Sequence, residues 1–378
     1  MEKTSVRAKL GVFRRCISII FRRPRLGVHV WIPSNSYSDM LYRQFTGANA
    51  PHPMTYLAEL DAFSRLGSRN RVLWIHSEAS YSWGCAGDQL AAAHRSFLRS
   101  LDRWSRKGGT LIWTVHDDGL HLNDPNTARI AGIRDRLRKM ADCVHVHSHA
   151  AKALVIERFG VDRESIIIAP HPSYAPLYPC IPALEAEVDC EPGQEIARNL
   201  LSFGNVKRYK NYDYLAAALD ALGPGSFAGL TIAGKIGDDT VLPAKAFRQN
   251  VALDMQLRYI PDAEVPLLFA EAHFLVLPYT ESLTSAAAAL AMGFGVPVIA
   301  PDLGGMRESV PEDNWPLIYP ADDPDGLANA LRQARDMSAA QYRALRDRCR
   351  DFGVTIHPDR VSAKLIALLQ TRGLLTAE

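Results

Sequence analysis

The sequence predicts an α/β fold made of two parallel, doubly wound sheets, one in each of two domains. Three observations carry that expectation. Short apolar runs with polar ends alternate with stretches of helical spacing along most of the chain. The stretch from His273 to Val310 shows the repeating unit at its clearest, as strand, small-residue loop, helix and strand. A length of 378 residues, 47% hydrophobic and 22% charged, suits two soluble domains that each bury a core.

The overall balance excludes several classes. A net charge of +2 gives no general argument for nucleic acid. The six cysteines, at 16, 85, 143, 180, 190 and 349, form no CxxC pair and read as reduced thiols of a cytoplasmic protein. Nothing from Ser282 to Pro301 is charged, which invites a membrane span. Two glycines and a proline within five residues, beside weakly apolar alanines, argue against one.

Taken in order, residues 1–25 carry eight Lys or Arg and one acid, Glu2. Val6, Leu10, Phe13, Ile17 and Ile20 recur at helical steps among the arginines, so the segment reads as a peripheral anchor on an anionic membrane surface or as a basic tail. Its apolar core is too short for a signal peptide. The first domain is expected over 26–180. Val28–Ile32 opens it as a strand, with a polar loop from Pro33 to Asp39. Val72–Ile75 before His76, and Leu111–Val115 before His116, repeat the pattern of apolar strand and polar end. Gly87–Lys107 between them is helical, with Leu90, Phe97, Leu98, Leu101 and Trp104 on its apolar face. Val144–His147 and Ile166–Ala169 complete the strands. Ligands of such sheets lie at the carboxyl ends of strands, where His76, His116 and the Pro170–Tyr174 loop, with His171 and Tyr174, all fall.

Residues 181–195 lie in a run rich in Pro, Glu and Asp and read as a linker to a second domain over 196–345. Asn199–Phe203, Leu230–Ala233 and Leu257–Ile260 are its first three strands, with a helix at Tyr212–Leu222. Ala263–Ala272 is a short helix turning Val265, Leu268 and Phe269 inward. Phe274–Leu277 is a strand ended by Pro278, and Tyr279–Leu283 a loop. Thr284 and Ser285 sit where an N-cap belongs, before an alanine run that should stop near Gly293–Gly295. Val296–Ala300 is the next strand and Pro301–Gly305 a turn. Asp322–Asp325 should cap a helix from Gly326 to Met337, and the terminal region is helical.

Two blocks of this order resemble the donor-binding half of GT-B glycosyltransferases. One is Leu277-Pro-Tyr279, five residues, Thr284-Ser-Ala286, a helix, and the run Gly295 to Pro301 with a Gly-Gly turn ending in Glu308. The other is Phe203-Gly-Asn-Val-Lys-Arg-Tyr-Lys-Asn211, similar to the family's G-x-x-R-x-Y-K-G segment. The nearest pattern is that of bacterial exopolysaccharide β-mannosyltransferases of the xanthan-assembly type, and more distantly the large retaining GT-B family. The resemblance implies two Rossmann-like domains facing a central cleft, with a C-terminal helical region over 346–378 that crosses back onto the first. It implies donor-binding roles for Gly204, Lys207, Lys210, Tyr279, Thr284, Ser285 and Glu308, with Lys210 the stronger match of the two lysines. His116, in Thr114-Val-His-Asp117, matches the family's T-x-H-N; it could take the acceptor proton or hydrogen-bond the donor sugar, with Asp117 and Asp118 as rival bases. His76, His171 and Tyr174 would line the acceptor side.

The pattern departs from the retaining family at one place. That family sets two glutamates eight apart, the second on the nucleotide ribose; aligned on Gly295, the positions hold Ser282 and Leu290 here, with Glu281 one residue off. Two possible metal motifs carry little weight. His145, His147 and His149 alternate near Cys143 without a carboxylate cluster. Asp323-Pro-Asp325 sits where helix capping explains it.

The expected function is transfer of a hexose, first mannose from GDP-mannose, to a lipid-linked saccharide in exopolysaccharide assembly. It needs no metal or other cofactor and takes place at the inner face of the cell membrane. An inactive GT-B scaffold subunit and a sugar-nucleotide epimerase are the alternatives, and the linkage and its stereochemistry stay open. The amphipathic segment gives a direct test. Full-length protein should sediment with anionic liposomes and protein lacking residues 1–25 should not; equal sedimentation of both removes the anchor.

Overall fold

The computed structural model describes residues 26–29, 36–45, 54–56, 60–65, 71–76, 78, 87–117, 127–179, 198–237 and 240–375. The amphipathic segment 1–25 and the linker 181–195 lie outside them. The chain divides into two compact units, residues 1–169 with 361–378, and residues 170–360.

The first unit is built on six parallel strands, β1 (Leu26–His29), β2 (Met54–Tyr56), β3 (Val72–Ile75), β4 (Thr110–Thr114), β5 (Cys143–Val146) and β6 (Ile166–Ile168). Their order is β2-β1-β3-β4-β5-β6, so the winding reverses between β1 and β3. Helices α1 (Ser36–Leu41), α2 (Leu60–Arg65), α3 (Gly87–Arg106), α4 (Thr127–Met140) and α5 (His149–Phe159) connect them. The fully buried face of α3 is Phe97, Leu101 and Trp104; Leu90 and Leu98 are only half-buried. Trp104 stacks on Phe63 of α2 with ring centroids 5.0 Å apart and donates to the Thr110 carbonyl at 3.0 Å. Trp74 and Trp113 are also fully buried, and each such side chain contributes about 1.5–3 kcal/mol through burial. Strands β3 and β5 are buried along their whole length and β4 from Leu111 on, as a parallel sheet covered by helices requires, with Thr114 and His145 as their buried polar members.

The second sheet has the order β12-β11-β10-β7-β8-β9. Its strands are β7 (Asn199–Phe203), β8 (Gly229–Ala233), β9 (Ala252–Gln256), β10 (Phe274–Val276), β11 (Val298–Pro301) and β12 (Ile318–Tyr319), all parallel where paired. The helices are α6 (Tyr212–Leu222), α7 (Ala244–Asn250), α8 (Val265–Glu271), α9 (Ala286–Phe294), α10 (Gly326–Asp336) and α11 (Ala339–Thr355). Most of the last helix, α12 (Pro358–Thr371), belongs to the first unit. There Arg372 donates to the carbonyls of Glu164 and Ile166.

Several boundaries differ from expectation. The opening strand is seen over Leu26–His29, two residues earlier than expected, with residues 30–32 of the expected Val28–Ile32 outside the described residues, and the helix Ser36–Leu41 overlaps the end of the expected polar loop. The third strand of the second sheet is Ala252–Gln256, just ahead of the apolar run Leu257–Ile260. As an edge strand it has no fully buried residue, so it leaves no apolar run to read, while Tyr259 is exposed in the loop beyond. The first unit closes at Ala169 rather than 180, and the chain returns to it at Val361 rather than 346. The reason is α11, which packs on α9 so closely that a Cβ on Gly353 would strike the Met292 carbonyl. Asp325 holds the N-cap position of α10 but makes no side-chain cap bond; the local bond runs from its N–H to the Asp323 carboxylate, 2.9 Å.

The ends of β7 and β8 are locked by glycine. Gly234 has φ +145°, and a Cβ there would overlap the Gly204 carbonyl. Gly234→Ala should therefore destabilise by about 2–3 kcal/mol. Guanidinium unfolding should show a lower midpoint at unchanged slope; a midpoint equal to wild type would show that the loop relaxes freely.

Candidate active site

In a doubly wound sheet the crevice opens where the strand order reverses, beyond the carboxyl ends of the two strands concerned. In the second unit these strands are β7 and β10, and the loops leaving them are the two blocks singled out in the sequence. They are joined directly. Thr280 donates through its N–H and its hydroxyl to the Tyr209 carbonyl, at 2.8 and 3.3 Å, and the rings of Tyr209 and Tyr279 meet edge-on at 5.2 Å.

After β7 the chain turns through Gly204, φ +93°, and a short 3-10 turn, Arg208–Lys210, ends at Asn211. Asn211 has φ 47°, the one positive value outside glycine among the described residues. It stands where the family segment carries glycine, and asparagine is the side chain that best tolerates that backbone. Lys210 is buried, with Nζ donating to the carbonyls of Phe203 at 2.6 Å and Gly204 at 3.1 Å. Burial pushes its pKa down to about 7, and Nζ lies 5.9 Å from the centre of the Tyr279 ring. Two of three ammonium donors are thus spent on its own strand end. Lys207, ranked second from sequence, is the exposed cation of the pair.

On the β10 side Ser285 caps α9, its Oγ accepting from the Ala288 N–H at 3.2 Å. Burial raises the Tyr279 hydroxyl well above its ordinary range, with a hydrogen bond to Ser285 opposing. Thr284 is half-buried, and its carbonyl accepts from the Ser282 hydroxyl at 3.4 Å. The Gly-Gly turn holds this loop: Gly305 donates to the Leu283 carbonyl at 3.0 Å, and a Cβ on Gly304, φ +54°, would strike the Ser282 carbonyl. Leu290, at the second glutamate position of the retaining family, is buried in α9. Glu308 is exposed on the 3-10 turn Arg307–Ser309.

His171 and Tyr174 fall in the second unit, their rings 5.4 Å apart. His171 Nδ1–H donates to the Pro172 carbonyl at 2.9 Å, and neighbouring Ser173 sits where a Cβ on Gly293 would be, against the far end of α9.

His76 belongs to a buried cluster at the carboxyl ends of the first sheet. Tyr42 Oη bonds His76 Nε2, and His76 Nδ1 lies 3.3 Å from His116 Nε2. The His76 ring stacks on Trp74, 5.5 Å apart at 15°, and Tyr37 stands edge-on to His76, His116 and His147. His145 and His147, whose alternation suggested a metal, both point a ring nitrogen at the Ala169 carbonyl, at 3.2 and 3.1 Å. A carbonyl only accepts, so both nitrogens carry protons. Thr114 then donates to His145 Nδ1 at 3.1 Å and Tyr37 to His147 Nε2 at 3.2 Å. All four nitrogens serve the fold. Among the described residues no group of three or more His, Cys, Asp or Glu is placed to hold a metal ion.

Asp117, expected as a rival base, is tied down. Arg134 Nη2 donates to its carboxylate at 2.6 Å and to its carbonyl at 3.4 Å, while Arg134 Nε donates to buried Glu78 at 3.1 Å. Trp113 Nε1 donates to the same Glu78 oxygen at 3.0 Å. Burial raises Glu78 against the pull of Arg134. Glu78 and Arg134 escaped the sequence reading because nothing in spacing links them to Asp117.

Residues 197–336 match the family model described as glycosyl transferases group 1. No curated protein matches the chain. Similar solved structures include HepE of Anabaena, in complex with UDP and glucose, with 13% identity, TM-score 0.66, 92% of this chain and 99% of that one. A sucrose-phosphate synthase from Thermosynechococcus elongatus has 17% identity and TM-score 0.59 over 83% and 77% of the two chains. A glycosyltransferase from Rickettsia africae has 11% identity and TM-score 0.62 over 93% and 99%. The chain thus has the GT-B fold, with a group 1 glycosyl transferase domain in its second unit.

Burial also sets a pH response. His116 and His273 are both held at about 4, chiefly by burial, against 6.5 for the unperturbed ring. The unfolded chain therefore binds more protons between these limits, and stability present above about pH 6.5 is lost as pH falls toward 4. Urea unfolding at stepped pH should show that slope, and His116→Gln with His273→Gln should flatten it. An unchanged slope in the double variant would assign it to other groups.

Proposed function

We propose that the protein is a glycosyltransferase that moves a hexose from a nucleoside-diphosphate sugar to a lipid-linked saccharide, in exopolysaccharide assembly at the cytoplasmic face of the membrane. Mannose is the first candidate for the sugar. One observation carries the reading. The start of α9 and the Lys207–Lys210 loop, from separate strand–loop–helix units, are tied together by Thr280 and Tyr209 at the β7/β10 reversal.

The chemistry follows from that arrangement. As the bond from the anomeric carbon to the diphosphate breaks, negative charge grows on the leaving group. The first turn of α9 offers backbone N–H groups that lack intrahelical acceptors, and the helix dipole adds positive potential. Alanines at 286 and 287 leave the backbone open to a phosphate. Lys207 adds an exposed charge, and Lys210 keeps one ammonium donor after its two carbonyl bonds. No metal is needed for this role. The group 1 family match covers the whole of this construction.

The donor base is open between guanine and uracil: the exopolysaccharide resemblance favours GDP-mannose, while HepE has been crystallised with UDP-glucose. Groups for the acceptor saccharide come from the first sheet, with His116 and His76 at its carboxyl-end cluster and Asp117 beside them. No described helix is long and apolar enough to cross a membrane. The basic segment 1–25 supplies the membrane contact in this reading. An inactive scaffold subunit would have no use for the capped α9 start or for a lysine buried beside it.

Calorimetry with UDP, GDP and ADP tests the site. One of these should bind, and Lys210→Ala should weaken it about tenfold to a hundredfold, as expected for loss of a charge-assisted bond of about 1.5–3 kcal/mol. The corresponding nucleoside should be little affected. Because Lys210 lies near 7, binding at higher pH should draw a proton from buffer, visible as a heat that depends on buffer ionisation. Unaltered diphosphate affinity in a folded variant would place the anion elsewhere.

A further inference from the structure

The second sheet ends in an edge strand that lies beside a groove. β9 pairs with β8 alone and closes the sheet among the described residues. Ala252 donates its N–H to the Ala228 carbonyl at 3.3 Å, and the Gln256 carbonyl accepts from the Gly234 N–H at 3.0 Å. Backbone groups alternate in direction along a parallel strand, so Ala252, Asp254 and Gln256 face β8. Leu253 and Met255 therefore turn N–H and C=O outward, four groups that form a template for a further strand. The strand carries no proline, lysine or bulge to block it, and its one charge is Asp254. Tyr259 stands 73% exposed just beyond its end.

The groove, of about 290 Å³, opens over the amino-terminal half of β7, β8 and β9. Register sets Asn199, Gly229 and Ala252 across it in one row, and Leu201, Thr231 and Asp254 in the next. Leu268 and Glu271 of α8 add to its lining. Small-molecule pockets span about 300–1,000 Å³, so this space suits one or two long side chains better than a nucleotide. Its charge is of one sign. Neither Asp254 nor Glu271 joins an ion pair among the described residues, and Asp254 accepts from Gln256 Nε2 at 2.8 Å. Arg258, the cation that follows the strand, is held by Glu264 and by Gln256 Oε1. A second copy of the chain fits poorly here. The two-fold register that engages all four outward groups sets Asp254 directly opposite its own counterpart, and like charges so placed are destabilising.

We propose that the β9 edge and this groove receive an extended, basic segment of a partner protein, added to the sheet as a further strand. Its main chain bonds Leu253 and Met255, and alternate lysine or arginine side chains lie over the groove toward Asp254 and Glu271. Backbone pairing supplies affinity with little regard to sequence, and the two carboxylates select the sign of the charge. The groove sits at the amino ends of the strands, whereas the Lys207–Asn211 turn and the α9 cap leave carboxyl ends. The interaction is therefore independent of the transferase reading.

The test uses the full chain and a short, labelled, end-blocked peptide of alternating valine and arginine. Fluorescence anisotropy should show saturable binding that weakens as salt is raised. Hydrogen exchange at the Leu253 and Met255 amides should slow on binding, since those N–H groups gain partners. Asp254→Asn with Glu271→Gln should weaken binding about tenfold, as two exposed charge pairs are lost. Met255→Pro removes one outward donor at an edge position that tolerates proline, and should weaken binding by a similar factor. The same peptide N-methylated at alternate residues keeps its charge but cannot complete a strand, and should not bind; it decides alone if Met255→Pro fails to fold. No saturable binding overturns the proposal, as does equal binding of a valine–glutamate peptide or of the N-methylated one. Binding that leaves exchange at Leu253 and Met255 unchanged overturns it too. Dimerisation of the chain by itself, lost in Met255→Pro, would give the edge to a second copy and overturn it equally.

Discussion

Everything gathered in the second unit depends on one strand pairing, β10 against β7, with Phe274 opposite Leu200 and Leu275 opposite Leu201. The chain lays down β7, β8 and β9 outward in one direction, then returns to the free side of β7 and continues through β11 to β12. Only at that return do two loops leave neighbouring strand ends towards opposite faces of a sheet, opening a crevice. The Lys207–Asn211 turn and the cap of α9 would be strangers under any other order. Glycines then fix the loops at backbone resolution, Gly234 under Gly204 and Gly304 under Ser282.

The first sheet meets a different constraint, the cost of burying polar side chains. Its reversal lies between β1 and β3, and the residues that collect near it are rings with nitrogen and oxygen atoms to satisfy. Trp74 donates to Thr114, Thr114 to His145, and His145 to the Ala169 carbonyl. Beside it Trp113 and Arg134 share Glu78. A network matched at every member rigidifies a site, whereas a single missing partner would leave a buried group unpaired. The fold thereby fixes the orientation of His116 and Asp117 before any ligand arrives.

Much of this was legible in the residues. Apolar runs with polar ends located β3, β4, β5, β7, β8 and β10, because strands buried on both faces leave uninterrupted hydrophobic stretches. The Thr284–Ser285 start of α9 and its glycine end at Gly295 were equally plain, since capping chemistry is local. Edge strands were not: β2 has three residues, and β9 has no buried side chain to mark it. The inward turn of Lys210 was hidden too, because a motif records which residue is present and not where its ammonium points. Long-range partners such as Tyr42 and Arg134 carry no periodic signal, and only the folded chain brings them to His76 and Asp117.

The contact of α9 with α11 has a mechanical side. At 1.5 Å per residue, Gly293 stands about 12 Å along the axis from Ser285. At that far end Gly293 leaves room for the side chains of Ser173 and Ala175, and Gly353 lets its backbone lie against that of Met292 and Gly293. The helix is therefore a lever pivoted on glycine. A tilt of about 5° at the pivot would carry the capped end sideways by about 1 Å, a displacement of the size that costs about a hundredfold in rate where reacting groups are concerned. Substitutions at Gly293 or Gly353 would thus shift the capped start of the helix without touching it, and variation along this seam is a route by which that end can be repositioned from a distance.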